Sequence, residues 1–202
     1  MPSLTITIKE NLRLTDVPPQ LMSHLVEKLE FVNPKWLENE RMGRWNRGTP
    51  QSLKFYDKVG RSGLWIPRGY IRHLINACRR QGIEFRLDDQ RRRLEPVKFT
   101  FKGRLKPFQQ VAVDKMLAKD FGTLSSATGS GKTVMALYII AKRKQPALIV
   151  VHNKELAAQW VAQIGAFLGI DSNNVGIIGG GKKNVGNKIT VSLVQSLYKC
   201  AD

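Results

Sequence analysis

Cysteine is nearly absent. Cys78 and Cys200 are the only two in 202 residues, far apart and without a CxxC spacing, so neither a disulfide framework nor a thiolate zinc site is indicated. A reducing, cytoplasmic or nucleoid-associated setting suits that usage. Long apolar runs are missing too. None approaches the ~20 residues that a bilayer requires, and no charged-then-apolar leader opens the chain, so it reads as soluble, unprocessed and without a membrane partner. Acidic residues are the third scarcity: 16 Asp and Glu stand against 33 Lys and Arg, a formal net charge of +17. Both halves share the excess, with 19 basic against 11 acidic residues over 1–99 and 14 against 5 over 100–202. A field of that sign favours a polyanion, and nucleic acid is the first candidate; a basic but otherwise ordinary soluble protein is the alternative. Hydrophobic residues make up 42%, enough for cores, and the length suits an ordinary domain with a small one beside it.

Residues 4–8 alternate Leu-Thr-Ile-Thr-Ile in the two-residue period of a half-buried strand, with 12–14 as a short partner. Leu21, Leu25, Leu29 and Val32 recur at helical spacing after Pro18, and Asn33-Pro34 predicts the stop. Strands are expected over 51–56 and 63–66, a helix after Pro67 with Ile71, Leu74, Ile75 and Cys78 on one face, and a last strand over 83–87. This order predicts a small α+β domain over 1–95, its helices against one sheet face, with the polar stretch 88–98 as boundary. Within it Arg41, Arg44 and Arg47 interleave with Trp45 in a loop. Guanidinium groups bind phosphate and an indole stacks on bases, which suits nucleic acid; a Trp45 core anchor rimmed by solvated arginines remains the other reading.

The second region, 96–202, holds Ser126-Ala-Thr-Gly-Ser-Gly-Lys-Thr133 between an apolar, strand-like run from Phe121 and an amphipathic stretch over 134–140. That is the build of a P-loop. Gly129 and Gly131 permit the turn that aims backbone N–H groups at phosphate oxygens, with Ser126, Ala127, Thr128 and Ser130 completing the cradle. Lys132 reaches the β and γ phosphates and Thr133 offers its hydroxyl to Mg2+, so ATP and Mg2+ are the expected cofactors, and Lys132 and Thr133 the candidate catalytic groups. Further strands over 147–151, 175–178 and 189–192, with a helix over 154–167, predict a parallel sheet of α/β class covered on both faces.

The succession Leu105-Lys-Pro-Phe-Gln109, the P-loop, Leu148-Ile-Val-Val-His-Asn-Lys154, Gly179-Gly-Gly-Lys182 and Thr190-Val-Ser-Leu-Val-Gln-Ser196 resembles the first RecA-like domain of superfamily 2 helicases, nearest the XPB-like and phage UvsW-like branch. The amino-terminal residues Gly43-Arg-Trp-Asn46 and Gly63-Leu-Trp-Ile-Pro67 are similar to the DNA-recognition domain preceding that motor. The resemblance implies that Gln109, with Lys106 and Phe108 beside it, reads adenine. It further implies that Asn153, Lys154, Gly180, Gly181 and Lys182 touch the nucleic-acid backbone. Ser126 stands where the family has Gly or Ala, and Leu193 where it commonly has Thr, so Ser192 and Ser196 become the candidate hydroxyl contacts. The resemblance also implies an incomplete motor: the acidic Walker B box and the second RecA-like domain with its arginine finger are expected beyond residue 202, so these residues alone are expected to hydrolyse ATP negligibly. The expected activity is that of an ATP-dependent helicase or translocase on single-stranded or branched DNA, in repair, recombination or branched-DNA remodelling. A restriction-enzyme translocase subunit or a short non-enzymatic nucleic-acid binder are the alternatives.

Overall fold

Alternating apolar residues build the first sheet. In the computed structural model, which describes residues 4–200, β1 (Leu4–Ile8) and β2 (Asn11–Thr15) form an antiparallel pair with Ile6 opposite Leu14. The strand β6 (Gly63–Pro67) extends the pair on the β2 side and β5 (Asp57–Val59) follows it. Parallel to β1, β7 (Phe85–Asp89) closes the order β5-β6-β2-β1-β7. Leu4, Ile6, Leu12, Leu14, Leu64 and Ile66 all point to one face and are buried. There they meet Leu21 and Leu25 of α1 (Pro19–Leu29) and Leu74, Ala77 and Cys78 of α3 (Ile71–Arg80). Burial pushes the Cys78 thiol pKa up, which keeps it protonated and unreactive.

Between α1 and β5 the chain departs from expectation. Helix α1 ends at Leu29, and β3 (Glu30–Val32) pairs with β4 (Ser52–Lys54) in a separate two-stranded ribbon. Asn33-Pro34 begins a helix instead of stopping one: α2 (Pro34–Arg41) has Pro34 in its first turn, where no N–H is needed, and Asn33 Oδ1 accepts from Lys35 N at 3.0 Å. The expected strand over 51–56 is therefore split between the ribbon and the bend before β5. Glu30 ties the ribbon together, accepting from Ser52 Oγ at 2.7 Å and Tyr56 Oη at 3.0 Å. Those hydrogen bonds, Ser52's foremost, hold its carboxyl below the usual glutamate range. A depressed folded-state pKa contributes stability above the unfolded value and loses it as pH falls through the folded value. We therefore expect amide protection in the ribbon, taken relative to the intrinsic exchange rate at each pH, to fall as pH drops below the ordinary glutamate range, and Glu30→Gln to remove that pH dependence. An unchanged acid profile in Glu30→Gln would assign the loosening to other groups.

The chain divides into two compact units at Arg92 and Arg93. In the second, α4 (Pro107–Leu117), α5 (Lys132–Arg143) and α6 (Lys154–Leu168) accompany a sheet of order β10-β9-β11-β8. Its strands β8 (Ala147–Val151), β11 (Ile189–Leu193) and β9 (Gly176–Gly179) are parallel, and β10 (Lys182–Asn184) returns antiparallel to β9. Leu137, Ile149, Val151, Ile164, Leu168, Ile189 and Val191 form the core. Two expectations fail here for one reason. Residues 121–125 form no strand, and β8, bonded only to β11 among the described residues, alternates, with Leu148 52% and Val150 45% exposed. A strand exists only where a neighbour takes its hydrogen bonds, and a face is buried only where something covers it. Neither condition is met along the free side of β8.

Candidate nucleotide and nucleic-acid site

Gly131 is the pivot of the loop. It caps α5 in the left-handed region, at φ 82°, and Gly129 adopts φ 79°. These two residues turn the chain so that α5 begins at Lys132 with its N-terminal N–H groups and positive dipole end facing the loop. A Cβ on Gly131 would lie 2.5 Å from Gln109 Nε2, whereas one on Gly129 would meet nothing. The first glycine is thus required by conformation and by packing, the second by conformation alone. Lys132 is exposed and folds back over the loop, its Nζ donating to Ser126 O at 2.8 Å and Ala127 O at 2.9 Å. Ser130 Oγ is buried and has no hydrogen-bond partner among the described residues. A buried hydroxyl without a partner costs about 1–3 kcal/mol, so an acceptor brought to this position would be stabilised by it. Thr133, half-buried, follows at the helix start.

Gln109 is 6% exposed. Its Oε1 accepts from Lys106 N at 2.8 Å, and its Nε2 donates to Ser130 O at 2.8 Å. The amide therefore ties the start of α4 to the middle of the P-loop, a structural duty that the sequence reading did not foresee. One hydrogen on Nε2 and one lone pair on Oε1 remain beyond these two bonds. Lys106 and Phe108 stand beside it in solvent, Phe108 at 53% exposure.

The carboxyl ends of β8, β9 and β11 bring a second set of residues together. The position of a Cβ on Gly180 lies 3.9 Å from Lys154 Cε, and Gln195 Nε2 donates to His152 O at 3.3 Å. Lys154, Gly180, Gly181 and Lys182 are exposed there. Gly179, Gly180 and Gly181 all have positive φ (142°, 60° and 84°), which opens the tight turn into β10. Gly179 packs on Leu193, whose Cγ lies 2.7 Å from where a Cβ would sit, so the leucine that replaces a family threonine fills space that the glycine leaves. Asn153 is used internally: it caps α6, its Oδ1 accepting from Leu156 N at 2.8 Å. The Ser192 expectation requires correction, because its side chain is fully buried in β11 and its hydroxyl donates to Leu193 O at 3.2 Å. Ser196, half-buried on α7 (Val194–Tyr198), is left as the serine nearer solvent.

In the amino-terminal unit the open question over Trp45 is answered by its exposure, 83%, which excludes a core anchor. Arg47 Cζ lies 5.8 Å from its ring centroid, and Arg41, Arg44 and Arg47 are all exposed. The loop beneath is fixed. Asn46 Nδ2 donates to Glu40 Oε1 at 3.0 Å and Trp36 O at 3.3 Å, and its Oδ1 accepts from Asn39 Nδ2 at 2.9 Å. Asn33 Nδ2 donates to Pro50 O at 2.8 Å. A pinned base and a solvent-exposed tip thus present Trp45 with Arg47 beside it, and Arg41 and Arg44 exposed on the same segment.

Known proteins resemble this chain in sequence and in fold. A family profile described as the type III restriction enzyme res subunit matches residues 102–202, half of the chain. The DNA 3'-5' translocase XPB2 of Sulfurisphaera tokodaii is 38% identical over 101 residues, covering 50% of this chain and 22% of that protein. The probable helicase D10 of Escherichia phage T5 is 31% identical over 145 residues, 71% of this chain and 30% of that protein. A putative DNA 3'-5' helicase Rad25 of Halobacterium salinarum is 28% identical over 132 residues, 65% and 22% respectively. The chain thus spans between a fifth and a third of the length of these relatives. The UvsW helicase of bacteriophage T4 superimposes with a TM-score of 0.66 over 98% of this chain and 77% of that one, at 14% identity, a likeness of fold. The match over residues 102–202 places the chain in the res-subunit family, and it is similar in sequence to XPB and Rad25 proteins and in fold to the UvsW helicase.

Proposed function

We propose that this chain binds Mg-ATP at the 126–133 loop and DNA at the carboxyl ends of β8 and β9, with the Trp45 loop as a further grip, as part of an ATP-driven DNA helicase or translocase. The observation that carries the reading is the buried, unpartnered Ser130 hydroxyl, set in a glycine-turned loop at the start of α5 with Lys132 folded across it. The bound nucleotide would supply the transferable phosphoryl group, and its Mg2+ the Lewis acid. The residues of the chain do the rest. Lys132 trades two carbonyl acceptors for phosphate oxygens, Ser130 gains an acceptor, Thr133 holds the metal through its hydroxyl, and the loop N–H groups bind anionic oxygens. Lys154 and Lys182, beside the glycine turn, would hold DNA phosphates without reading sequence. The restriction-subunit alternative shares this motor and differs in its partners; the relatives above are a translocase and helicases.

The test is ATP binding by calorimetry, and hydrolysis with and without single-stranded and forked DNA, for the chain and its Lys132→Ala variant. Losing a charge-assisted contact of about 1.5–3 kcal/mol weakens binding by about 10- to 100-fold, with DNA affinity preserved. Equal ATP affinity in the two proteins would refute the site.

A further inference from the structure

Alternation leaves the amino-terminal sheet with a second face, opposite α1 and α3. The aligned registers put Asp57, Trp65, Arg13, Thr7 and Asp88 in one row across all five strands of that face. Trp65, second in the row, is 41% exposed. Next to it Arg13 is exposed and makes no side-chain hydrogen bond or salt bridge among the described residues, while Asp88 at the far end of the row is engaged by Gln90 Nε2 at 2.5 Å. The indole stands between two hollows. On one side is a cavity of about 290 Å³ whose walls include Thr7, Lys9, Asn11, Arg13 and Glu10; on the other a smaller one of about 140 Å³ reaches Lys54 and Phe55. Asn11 lines both. Beyond the smaller hollow Phe55, 49% exposed, meets Phe31, 52% exposed, edge to face with centroids 5.7 Å apart. Trp65, Phe55 and Phe31 thus mark an aromatic path with Arg13, Lys9 and Lys54 along it.

We propose that this face is a platform for single-stranded nucleic acid, with Trp65 stacked between successive bases and Arg13 and Lys9 holding the backbone. A flat aromatic with a hollow on each side suits unstacked planar bases, whose π faces are available only in a single strand. Thr7 and Asn11 offer hydrogen-bonding groups to a base edge, which a purely electrostatic contact would not need. The Arg13 guanidinium and the Lys9 ammonium beside the ring complement phosphate, Lys54 being paired with Glu30 at 3.8 Å, while Asp57, Glu10 and Asp88 confine the backbone to the middle of the row. A duplex, with its bases stacked inside, presents nothing for Trp65 to enter. This platform is distinct from the Trp45 loop and does not depend on nucleotide binding at the P-loop.

The experiment is fluorescence anisotropy of labelled oligothymidylate and oligouridylate with the 202-residue chain and with Trp65→Ala, Trp65→Phe and Arg13→Ala, over a range of salt. Circular dichroism and thermal melting establish that each variant is folded. Loss of one stacking platform is expected to weaken binding by about 5- to 100-fold in Trp65→Ala, with Trp65→Phe close to the parent. Arg13→Ala should reduce the slope of log affinity against log salt by about 0.7. The two oligomers show whether the platform discriminates DNA from RNA. Cross-linking of iodouracil-substituted oligomer should mark peptides containing Asn11–Arg13 or Trp65. Parent-like affinity in a folded Trp65→Ala protein, or cross-links confined to residues 41–47 and the second unit, would overturn the proposal. So would a duplex that competes as well as the single strand, or a loss of self-association in Trp65→Ala without loss of oligomer binding.

Discussion

Gly131→Ala is expected to weaken ATP binding by about 10- to 100-fold while leaving the helices intact. Two costs coincide at this position. An L-residue in the left-handed region costs about 1–2 kcal/mol, and Gly131 sits there at φ 82°. The added methyl would also lie 2.5 Å from Gln109 Nε2, the atom that donates to Ser130 O. Displacing that amide removes a hydrogen bond worth about 1 kcal/mol, and the P-loop loses its tie to α4. A double-mutant cycle separates the two costs. With Gln109→Ala in place the steric conflict is gone and only the backbone strain remains, so the combined effect should fall short of the sum by about 1 kcal/mol. Calorimetric ATP titration of the four proteins checks this. Strict additivity would show that Gln109 does not hold the loop, and undiminished affinity in Gly131→Ala would show that the left-handed cap is dispensable.

In the amino-terminal unit Leu14→Ala is expected to lower the melting temperature by roughly 12–24 °C, from a loss of about 3 kcal/mol at about 4–8 °C per kcal/mol for a domain of this size. Leu14 is completely buried in β2, a strand with neighbours on both sides, and packs in the cluster with α1 and α3. Arg13→Ala, one residue earlier and on the opposite face, should change stability by no more than about 0.5 kcal/mol. Melting followed by the fluorescence of Trp36, Trp45 and Trp65, all in this unit, reads the difference. Comparable shifts from the two substitutions would contradict the assignment of faces that both the fold and the single-strand platform depend on.

Much of this was legible in the residues themselves, because the determinants were local. The two-residue alternation of Leu4–Ile8, the helical spacing of Leu21, Leu25 and Leu29, and the glycine-lysine-threonine sequence at 131–133 each commit a short segment whatever lies around it. Pro34 shows the limit of such reasoning. Proline after a helical pattern reads as a stop, yet the same ring is tolerated in a first helical turn, and only the pairing of β3 with β4 decides which role it takes.

Side-chain partners across long sequence separations were beyond reach for the same reason. Nothing near Gln109 announces that its amide bonds Ser130, 21 residues on, and nothing in Ser192 tells a surface hydroxyl from one sealed in a parallel strand. Trp65 was within reach: alternation with Leu64 and Ile66 already sets it on the other face, but the register that places Arg13 beside it belongs to the sheet. The glycine-turned loop, the basic character and the order of most elements follow from conformational preference and composition, which are properties of short segments. Which polar groups are free to act follows from the fold, because a donor or acceptor is available only when no other part of the folded chain has taken it.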